Sequence, residues 1–426
     1  MIQIDYPAPA QWPEVLERPG MSVENLFGTV RAILDKVKAE GDRAVLAYEE
    51  QFDHVKLSAL AVTEAEMQEA ESLVDEDLKA AIRLAKQNIE AFHAAQRFEG
   101  CRVETQPGVT CWQKAVPIEK VGLYIPGGTA PLFSTVLMLA VPAKIAGCGE
   151  IVLCTPPGRD GKVHPAVLFS ARVAGVNRIY KAGGVQAIGA MAYGTESVPK
   201  VYKIFGPGNQ YVTAAKQWVS LRDVAIDMPA GPSEVEVLAD ETAHPAFVAA
   251  DLLSQAEHGA DSQAVLITTS EDLRQAVVQE VERQLPLLPR REIAARALEN
   301  SKLILVRDMD EAIALTNAYA PEHLIIQTAD YAQAAERVVH AGSVFLGPCS
   351  TESAGDYASG TNHTLPTNGY ARAYSGVSLD SFVRKMTFQE ITPEGLRRIG
   401  PAIQVMAANE RLDAHKNAVT VRLENL

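Results

Sequence analysis

From Val121 onward the sequence alternates short apolar runs with segments of helix length. This alternation is typical of parallel βαβ units, in which each helix returns the chain to the same edge of a sheet. Ten predicted strands exceed one comfortable sheet, so we predict two α/β domains. The predicted strands are residues 121–125, 151–154, 178–181, 202–205, 224–226, 235–239, 264–268, 303–306, 324–326 and 343–346.

Both ends of the chain have helical patterns, and we expect the first hundred residues to be helical. Apolar residues recur at helical spacing before Gly41, which predicts a helix end. Thr63 and Glu66 form a capping box before a longer helical stretch, which we expect to break near residues 75–77. The tail from Thr392 becomes helical again.

The composition is that of an ordinary globular protein, with 47% hydrophobic and 22% charged residues. A formal net charge of −14 argues against nonspecific binding to nucleic acid or to anionic membranes. Residues 1–20 have no secretory pattern, and the most apolar window, 131–147, is too short to span a bilayer. The five cysteines form no CxxC pair. We therefore expect a cytoplasmic protein with reduced thiols, whose metal ligands would be His, carboxylate and amide groups.

Three glycine-rich segments follow predicted strands, at 122–128, 183–189 and 206–211. None is a GxGxxG motif with a suitably placed acid, so the ordinary dinucleotide fingerprint is absent. Such loops suit backbone contact with a flat or phosphorylated ligand at the carboxyl edge of a sheet. Any one of them alone equally fits a tight turn that needs glycine. Three in one stretch of chain favour a ligand-binding edge.

Gln255 and His258 lie three residues apart at the end of a predicted helix, so they share a helix face. Asp356 and His415 add a carboxylate and a second imidazole. Together these side chains suit a divalent ion such as zinc or manganese. Taken singly, each also fits a helix end, a turn or a solvent-facing position, and sequence spacing does not show that they converge.

Glu322 and His323 are consecutive polar residues directly before a buried strand. Burying them is costly unless they are paired or solvated, so we expect them to line a cleft. The imidazole suits a general base, and the adjacent carboxylate suits a second proton transfer. A histidine that only caps the strand is the alternative. Ser233 lacks a GxSxG elbow, which favours a rigid binding loop over a nucleophile.

With these residues in place, the chain closely resembles the histidinol dehydrogenase family over nearly its whole length. Several long motifs occur in the family's order, including AIDMPAGPSE, DLLSQAEH and GDYASGTNHTLP. The resemblance is densest at residues 121–138, 203–212, 225–234, 251–258, 320–323, 355–366 and 410–418.

The resemblance implies two incomplete Rossmann-like domains, one inserted in the other, with a helical N-terminal segment and a small C-terminal extension that crosses to a second subunit. The implied division is an N-terminal extension (1–20), a discontinuous first domain (21–123 and 237–377), an inserted NAD-contacting domain (124–236) and a C-terminal helical extension (378–426). A homodimer with shared active sites follows from this arrangement.

The resemblance also implies two cofactors, NAD and one zinc ion per subunit. By the family's pattern, NAD would contact Tyr124, Gln186 and Asn209. Zinc would be bound by Gln255, His258, Asp356 and His415, with His415 coming from the partner chain. The substrate would contact Ser233, His323, His363 and Glu410 together with the zinc ligands.

The implied reaction is the oxidation of L-histidinol to L-histidine through bound L-histidinaldehyde, with NAD used twice. His323 would take the hydroxyl proton, and Glu322 would activate the water that hydrates the aldehyde. Zinc would mainly orient the substrate. At position 368 this chain has Asn where many members of the family have Tyr. The resemblance therefore does not define the substrate contacts of that loop.

Three rival interpretations share parts of this pattern. A related zinc and NAD dehydrogenase for another small polar alcohol is the nearest, but Glu410 and all four zinc-ligand matches favour histidinol. A zinc hydrolase leaves the three strand-end loops without a role. A non-catalytic binding module leaves Glu322 and His323 unexplained.

Overall fold

Two parallel sheets organise the chain in the computed structural model, which describes residues 1–20, 23–127 and 130–426. The strands are β1 (Ile2–Asp5), β2 (Cys101–Gln106), β3 (Val109–Pro117), β4 (Lys120–Tyr124), β5 (Glu150–Thr155), β6 (Arg178–Lys181), β7 (Lys203–Phe205), β8 (Ala225–Ile226), β9 (Glu234–Ala239), β10 (Gln263–Thr268), β11 (Lys302–Leu305), β12 (His323–Gln327), β13 (Ser343–Leu346) and β14 (Val383–Ile391).

Helices connect these strands. They are α1 (Trp12–Val15), α2 (Phe27–Glu40), α3 (Asp42–Phe52), α4 (Glu64–Leu73), α5 (Glu76–Ala94), α6 (Phe133–Ala146), α7 (Pro165–Val173), α8 (Gly184–Tyr193), α9 (Gln210–Ser220), α10 (Pro245–Ala256), α11 (Glu271–Gln284), α12 (Arg291–Glu299), α13 (Met309–Tyr319), α14 (Tyr331–Glu336), α15 (Glu352–Tyr357), α16 (Pro393–Asn409) and α17 (Asp413–Glu424). Short 3₁₀ helices lie at Pro9–Gln11, Val23–Leu26, Leu285–Leu287, Tyr370–Arg372 and Leu379–Phe382.

The two parallel sheets repeat one topology. The first has the order β6-β5-β4-β7-β8, and the second has the order β1-β11-β10-β9-β12-β13. Numbered from β4 in the first sheet and from β9 in the second, each contains the order 3-2-1-4-5, which is the strand order of a Rossmann-like fold that lacks its sixth strand. The prediction of two α/β units is therefore confirmed.

Buried apolar side chains explain why the ten predicted strands form. All six residues of β9 and of β10 are buried, as expected for parallel strands covered on both faces. The predicted capping box is present, since the Thr63 hydroxyl accepts a hydrogen bond from the Glu66 amide. The expected break near residues 75–77 is also present, because α4 ends at Leu73 and Asp75 caps α5.

Two expectations about the chain ends were wrong. The first hundred residues are not all helical, because β1 pairs in parallel with β11 at the edge of the second sheet. The extension 378–426 is not purely helical, because its β14 pairs with β3, and β3 pairs with β2, in an antiparallel sheet. This third sheet escaped prediction because β2 and β14 carry mostly exposed side chains and show no apolar pattern.

The N-terminal helices cover the first parallel sheet. Helix α2 packs on α8 and α9, α4 on α7, and α5 on α6. Residues 21–123 were expected to belong with 237–377, whereas these contacts join residues 27–94 to the unit built on 120–226. Residues 21–22 and 128–129 of the predicted segments lie outside the described residues. Across the part of the chain that the structure describes, no helix has the length and apolar character needed to cross a bilayer.

Candidate active site

A cavity of about 120 Å³ lies where the two parallel sheets meet. The carboxyl end of β7 contributes Gly206 and Pro207 to its wall, and the amino ends of β9 and β12 contribute Ser233 and Glu322. The loop after α15 adds His363. The cavity therefore joins the carboxyl edge of one sheet to the amino edge of the other, which brings together residues distant in sequence.

His323, the first residue of β12, is buried in this cavity. Its Nδ1 lies 3.1 Å from the Glu234 carbonyl oxygen, so Nδ1 carries the hydrogen and donates it. Its Nε2 has no hydrogen-bond partner among the described residues and lies 3.8 Å from Asp356 Oδ1. Burial lowers the pKa of His323 to about 4. The ring is therefore neutral near pH 7 and presents a free lone pair to the cavity.

Glu322 is held beside this imidazole. Its Oε2 accepts a hydrogen bond of 2.8 Å from the Glu234 amide and lies 3.6 Å from His323 Nδ1. Burial raises the pKa of Glu322 well above its ordinary value. A carboxylate whose pKa is raised is a stronger base than an exposed one, which suits Glu322 to a proton transfer.

Two predicted zinc ligands, His258 and Asp356, lie together beside His323, and a third, Gln255, lies one helical turn before His258. His258 Nε2 lies 4.0 Å from Asp356 Oδ2. Gln255 is fully buried near the end of α10, and both of its amide heteroatoms lack a partner within the described part of the chain. The His258 amide bonds to the Gln255 carbonyl at 3.2 Å, which keeps both residues in one helical turn. A buried amide without a partner is costly, so this donor set fits a metal ion that would satisfy it.

Glu352 is a further side chain in this cluster, and it was not predicted from the sequence. Donor atoms of His258, Glu352 and Asp356 all lie within 4.8 Å of one another. Glu352 Oε1 also lies 3.8 Å from His323 Nδ1. The signal that identifies it is its spacing from Asp356, because residues i and i+4 share a helix face.

His363 and Ser233 complete the cavity wall around the predicted base. His363 Nδ1 lies 3.0 Å from the Asp356 carbonyl oxygen, and its Nε2 lies 3.1 Å from the Thr135 hydroxyl. Burial lowers the pKa of His363, so the ring is a neutral donor and acceptor. Ser233 lines the same wall as Glu322, and its side chain lowers the pKa of that carboxyl slightly, against the larger effect of burial.

The three residues expected to contact NAD lie around the first sheet but do not line this cavity. Tyr124 ends β4, and its hydroxyl accepts a hydrogen bond of 3.0 Å from the Gly184 amide. Gln186 is buried and donates to Glu49 Oε1 at 2.8 Å. Asn209 caps α9 through its side-chain oxygen. Strands β4 and β7 are where the strand order reverses, which is where open α/β sheets bind ligands.

Glu410 and His415 are not brought to the cavity within one chain. Glu410 ends α16 and His415 lies in the first turn of α17, and both residues are exposed. The two helices form a hairpin beyond β14. One chain thus brings Ser233, His258, Glu322, His323, Asp356 and His363 to the cavity, with Gln255 one helical turn from His258, and leaves these two residues outside.

A neutral buried imidazole beside a metal-type donor set, at the junction of two Rossmann-like sheets, is typical of α/β dehydrogenases. The histidinol dehydrogenase family model matches residues 16–423. A histidinol dehydrogenase of Bacteroides thetaiotaomicron is 75% identical over 423 residues, which cover 99% of each chain. The histidinol dehydrogenase of Escherichia coli K12 is 52% identical, covering 98% of this chain and 96% of that protein.

A solved structure gives the same result. The crystal structure of histidinol dehydrogenase from Elizabethkingia anophelis matches with a TM-score of 0.97 at 54% identity, covering 100% of this chain and 98% of that one. The chain belongs to the histidinol dehydrogenase family. It is therefore an oxidoreductase of histidine biosynthesis.

Proposed function

We propose that this enzyme oxidises L-histidinol to L-histidine with two molecules of NAD and one zinc ion per site. The observation that carries the proposal is the free Nε2 of His323, which faces the cavity beside His258 and Asp356. A base in that position suits the removal of a hydroxyl proton from an alcohol. The names of the similar proteins specify histidinol as the alcohol.

The residues that would hold zinc are Gln255, His258 and Asp356 of one chain with His415 of another. Zinc would supply a fixed positive charge that orients the substrate's imidazole and amino groups. The buried, unpartnered amide of Gln255 supports this assignment. For NAD, which accepts hydride, we propose the contacts Tyr124, Gln186 and Asn209 at the carboxyl edge of the first sheet.

The chain's own groups account for the proton transfers. His323 Nε2 takes the hydroxyl proton in the first oxidation, returns it to the aldehyde oxygen as water adds, and takes a proton again in the second oxidation. Glu322 takes a proton from the water that adds to the aldehyde, which stays enclosed in the cavity and away from side reactions. Ser233, His363 and Glu410 would contact the substrate. Because Glu410 and His415 lie far out on the C-terminal hairpin, we propose a homodimer in which each site is completed by its partner.

We place the reaction in the cytoplasm. The described cysteines are all free thiols, which suits a reducing compartment.

The direct test is to add NAD and L-histidinol to purified, zinc-loaded protein and to follow NADH absorbance. Two NADH per histidinol support the proposal, whereas no NADH would overturn it. L-leucinol, an amino alcohol without an imidazole, serves as the matched control substrate. Faster oxidation of L-leucinol would favour a dehydrogenase for another polar alcohol.

Removal of the metal tests the zinc assignment separately. Dialysis against a chelator should abolish NADH formation, and added zinc should restore it. If the chelated protein, confirmed metal-free by elemental analysis, keeps full activity, the zinc assignment is wrong.

A further inference from the structure

Arg18 lies in the segment before α2 and contacts Glu234, the first residue of β9 in the second sheet. Its guanidinium makes two hydrogen bonds of 2.7 Å to the two carboxylate oxygens of Glu234. It also donates to the Tyr319 carbonyl at 2.8 Å and lies 3.9 Å from the centre of the Tyr319 ring. Side-chain exposure is only 15% for Arg18 and 4% for Glu234, so solvent screens this pair weakly.

The backbone of Glu234 holds both members of the proton-transfer pair. Its amide donates to Glu322 Oε2 at 2.8 Å, and its carbonyl accepts from His323 Nδ1 at 3.1 Å. Any shift of the Glu234 backbone therefore moves the carboxylate and the imidazole together. The backbone of Glu234 is held by the pairing of β9 with β10, and its side chain adds further anchors, Arg18 on one side and the Asn368 amide on the other.

Arg18 also supports the turn that leads into the pair. Ala320 has φ of +55°, a left-handed conformation that is uncommon for a residue with a Cβ. This turn lies between Tyr319, whose carbonyl accepts from Arg18, and the Glu322–His323 pair. A guanidinium can make these contacts at once because its donors form a rigid planar fork, which an ammonium group lacks.

We propose that Arg18 is a positioning residue for the reaction, which holds Glu322 and His323 in register through Glu234 and the Ala320 turn. The proposal rests on the proton-transfer roles given to this pair under the proposed function. Arg18 does not line the cavity and does not contact His258, Glu352 or Asp356. It therefore acts on the rate of the proton transfers and not on binding of substrate or metal.

The first test is Arg18→Met, which keeps the length of the side chain and removes its donors. We expect kcat per folded protein to fall by about tenfold to a hundredfold, because small misplacements of catalytic groups have effects of this size. KM for histidinol and zinc content should change little. Arg274→Met is the matched control, because Arg274 is another buried arginine of α11 that contacts Asp5 of β1 and also Glu271 of its own helix. It should lower thermal stability and leave kcat unchanged.

A double-mutant cycle separates positioning from general destabilisation. In a His323→Asn background the base is absent, so adding Arg18→Met should change the residual kcat by less than about twofold. Loss of the same factor in both backgrounds would overturn the proposal, as would an unchanged kcat in Arg18→Met alone. If Arg18→Met does not fold, Arg18→Lys allows the same comparison with the positive charge retained. Wild-type protein that forms no NADH would instead overturn the proposed function.

Discussion

At the scale of single residues, His323 is the side chain whose surroundings limit its role most closely. Its Nδ1 is bonded to the Glu234 carbonyl, which leaves Nε2 as the one ring nitrogen that can accept a proton. The low pKa of about 4, caused by burial, keeps that nitrogen unprotonated across the neutral range. Both conditions are needed, because a protonated or oppositely oriented ring would offer the substrate a donor.

Replacing His323 by Asn removes the proton acceptor and keeps a polar side chain of smaller size. We expect kcat to fall by roughly two to four orders of magnitude, the usual contribution of a general base. Zinc content, measured by elemental analysis, should stay at the wild-type level. His244→Asn is the control, since His244 caps the distant start of α10 and Asn is an equally good cap. A nearly fully active His323→Asn variant would show that another group is the base.

Glu236 gives a prediction about pH and stability. It is fully buried in β9, bonds to the Thr316 hydroxyl, and has its pKa raised from 4.5 to about 8 by burial. Between those pH values the folded chain holds a proton that the unfolded chain has lost. The stabilisation is therefore complete below the unfolded pKa and is lost as pH rises toward the folded one.

The neutral variant Glu236→Gln removes this dependence. Its free energy of unfolding, from urea denaturation, should improve relative to wild type by up to about 1.4 kcal/mol per pH unit between about pH 5 and about pH 8. The exposed Glu299→Gln should show a flat difference over the same range. A flat difference for Glu236→Gln would mean that the carboxyl is ionised in the folded protein.

At the scale of elements, the sequence predicts what is locally encoded and misses what depends on distant pairing. Ten of the eleven strands of the parallel sheets were predicted because covered strands require continuous apolar runs. Strand β14 was missed because most of its side chains are exposed and its partner β3 lies far away along the chain. Strand β1 was missed because it is short and its largely exposed side chains lie at a sheet edge.

The same distinction applies to the site. Gln255 and His258 were predicted because three-residue spacing on a helix is visible in sequence. Glu352 shows only the weaker sign of its spacing from Asp356. Arg18 carries no sign at all, because its partner Glu234 lies 216 positions away and only the fold brings them together.

A substitution of Gly206 tests whether NAD binds at the junction between β4 and β7. Its φ is +128°, and a Cβ there would collide with the Tyr124 carbonyl oxygen. Gly206→Ala should therefore lower the free energy of unfolding by about 1–3 kcal/mol and raise KM for NAD more than KM for histidinol. Gly149→Ala is the control, because its Cβ would meet only the Glu119 carbonyl at an ordinary 3.5 Å. Unchanged stability and KM in Gly206→Ala would argue against this junction as the NAD edge.

At the scale of the whole molecule, the C-terminal hairpin is the feature that one chain does not explain. Among the described residues, α17 buries no side chain, and the hairpin exposes apolar residues such as Val405, Met406 and Val421. Apolar surface on a projecting hairpin is typical of an interface with another subunit. The same hairpin carries Glu410 and His415, and neither residue reaches the cavity of its own chain.

Shared sites make a quantitative prediction for mixed dimers. His415→Ala should lose zinc, and His323→Asn should lose the base, so each homodimer should be nearly inactive. In a hybrid dimer, the intact cavity of the first variant meets the intact hairpin of the second, which restores one of the two sites. Equal random mixing should therefore recover about a quarter of wild-type activity. If His415 instead acted within its own chain, every site would remain defective and mixing would recover nothing.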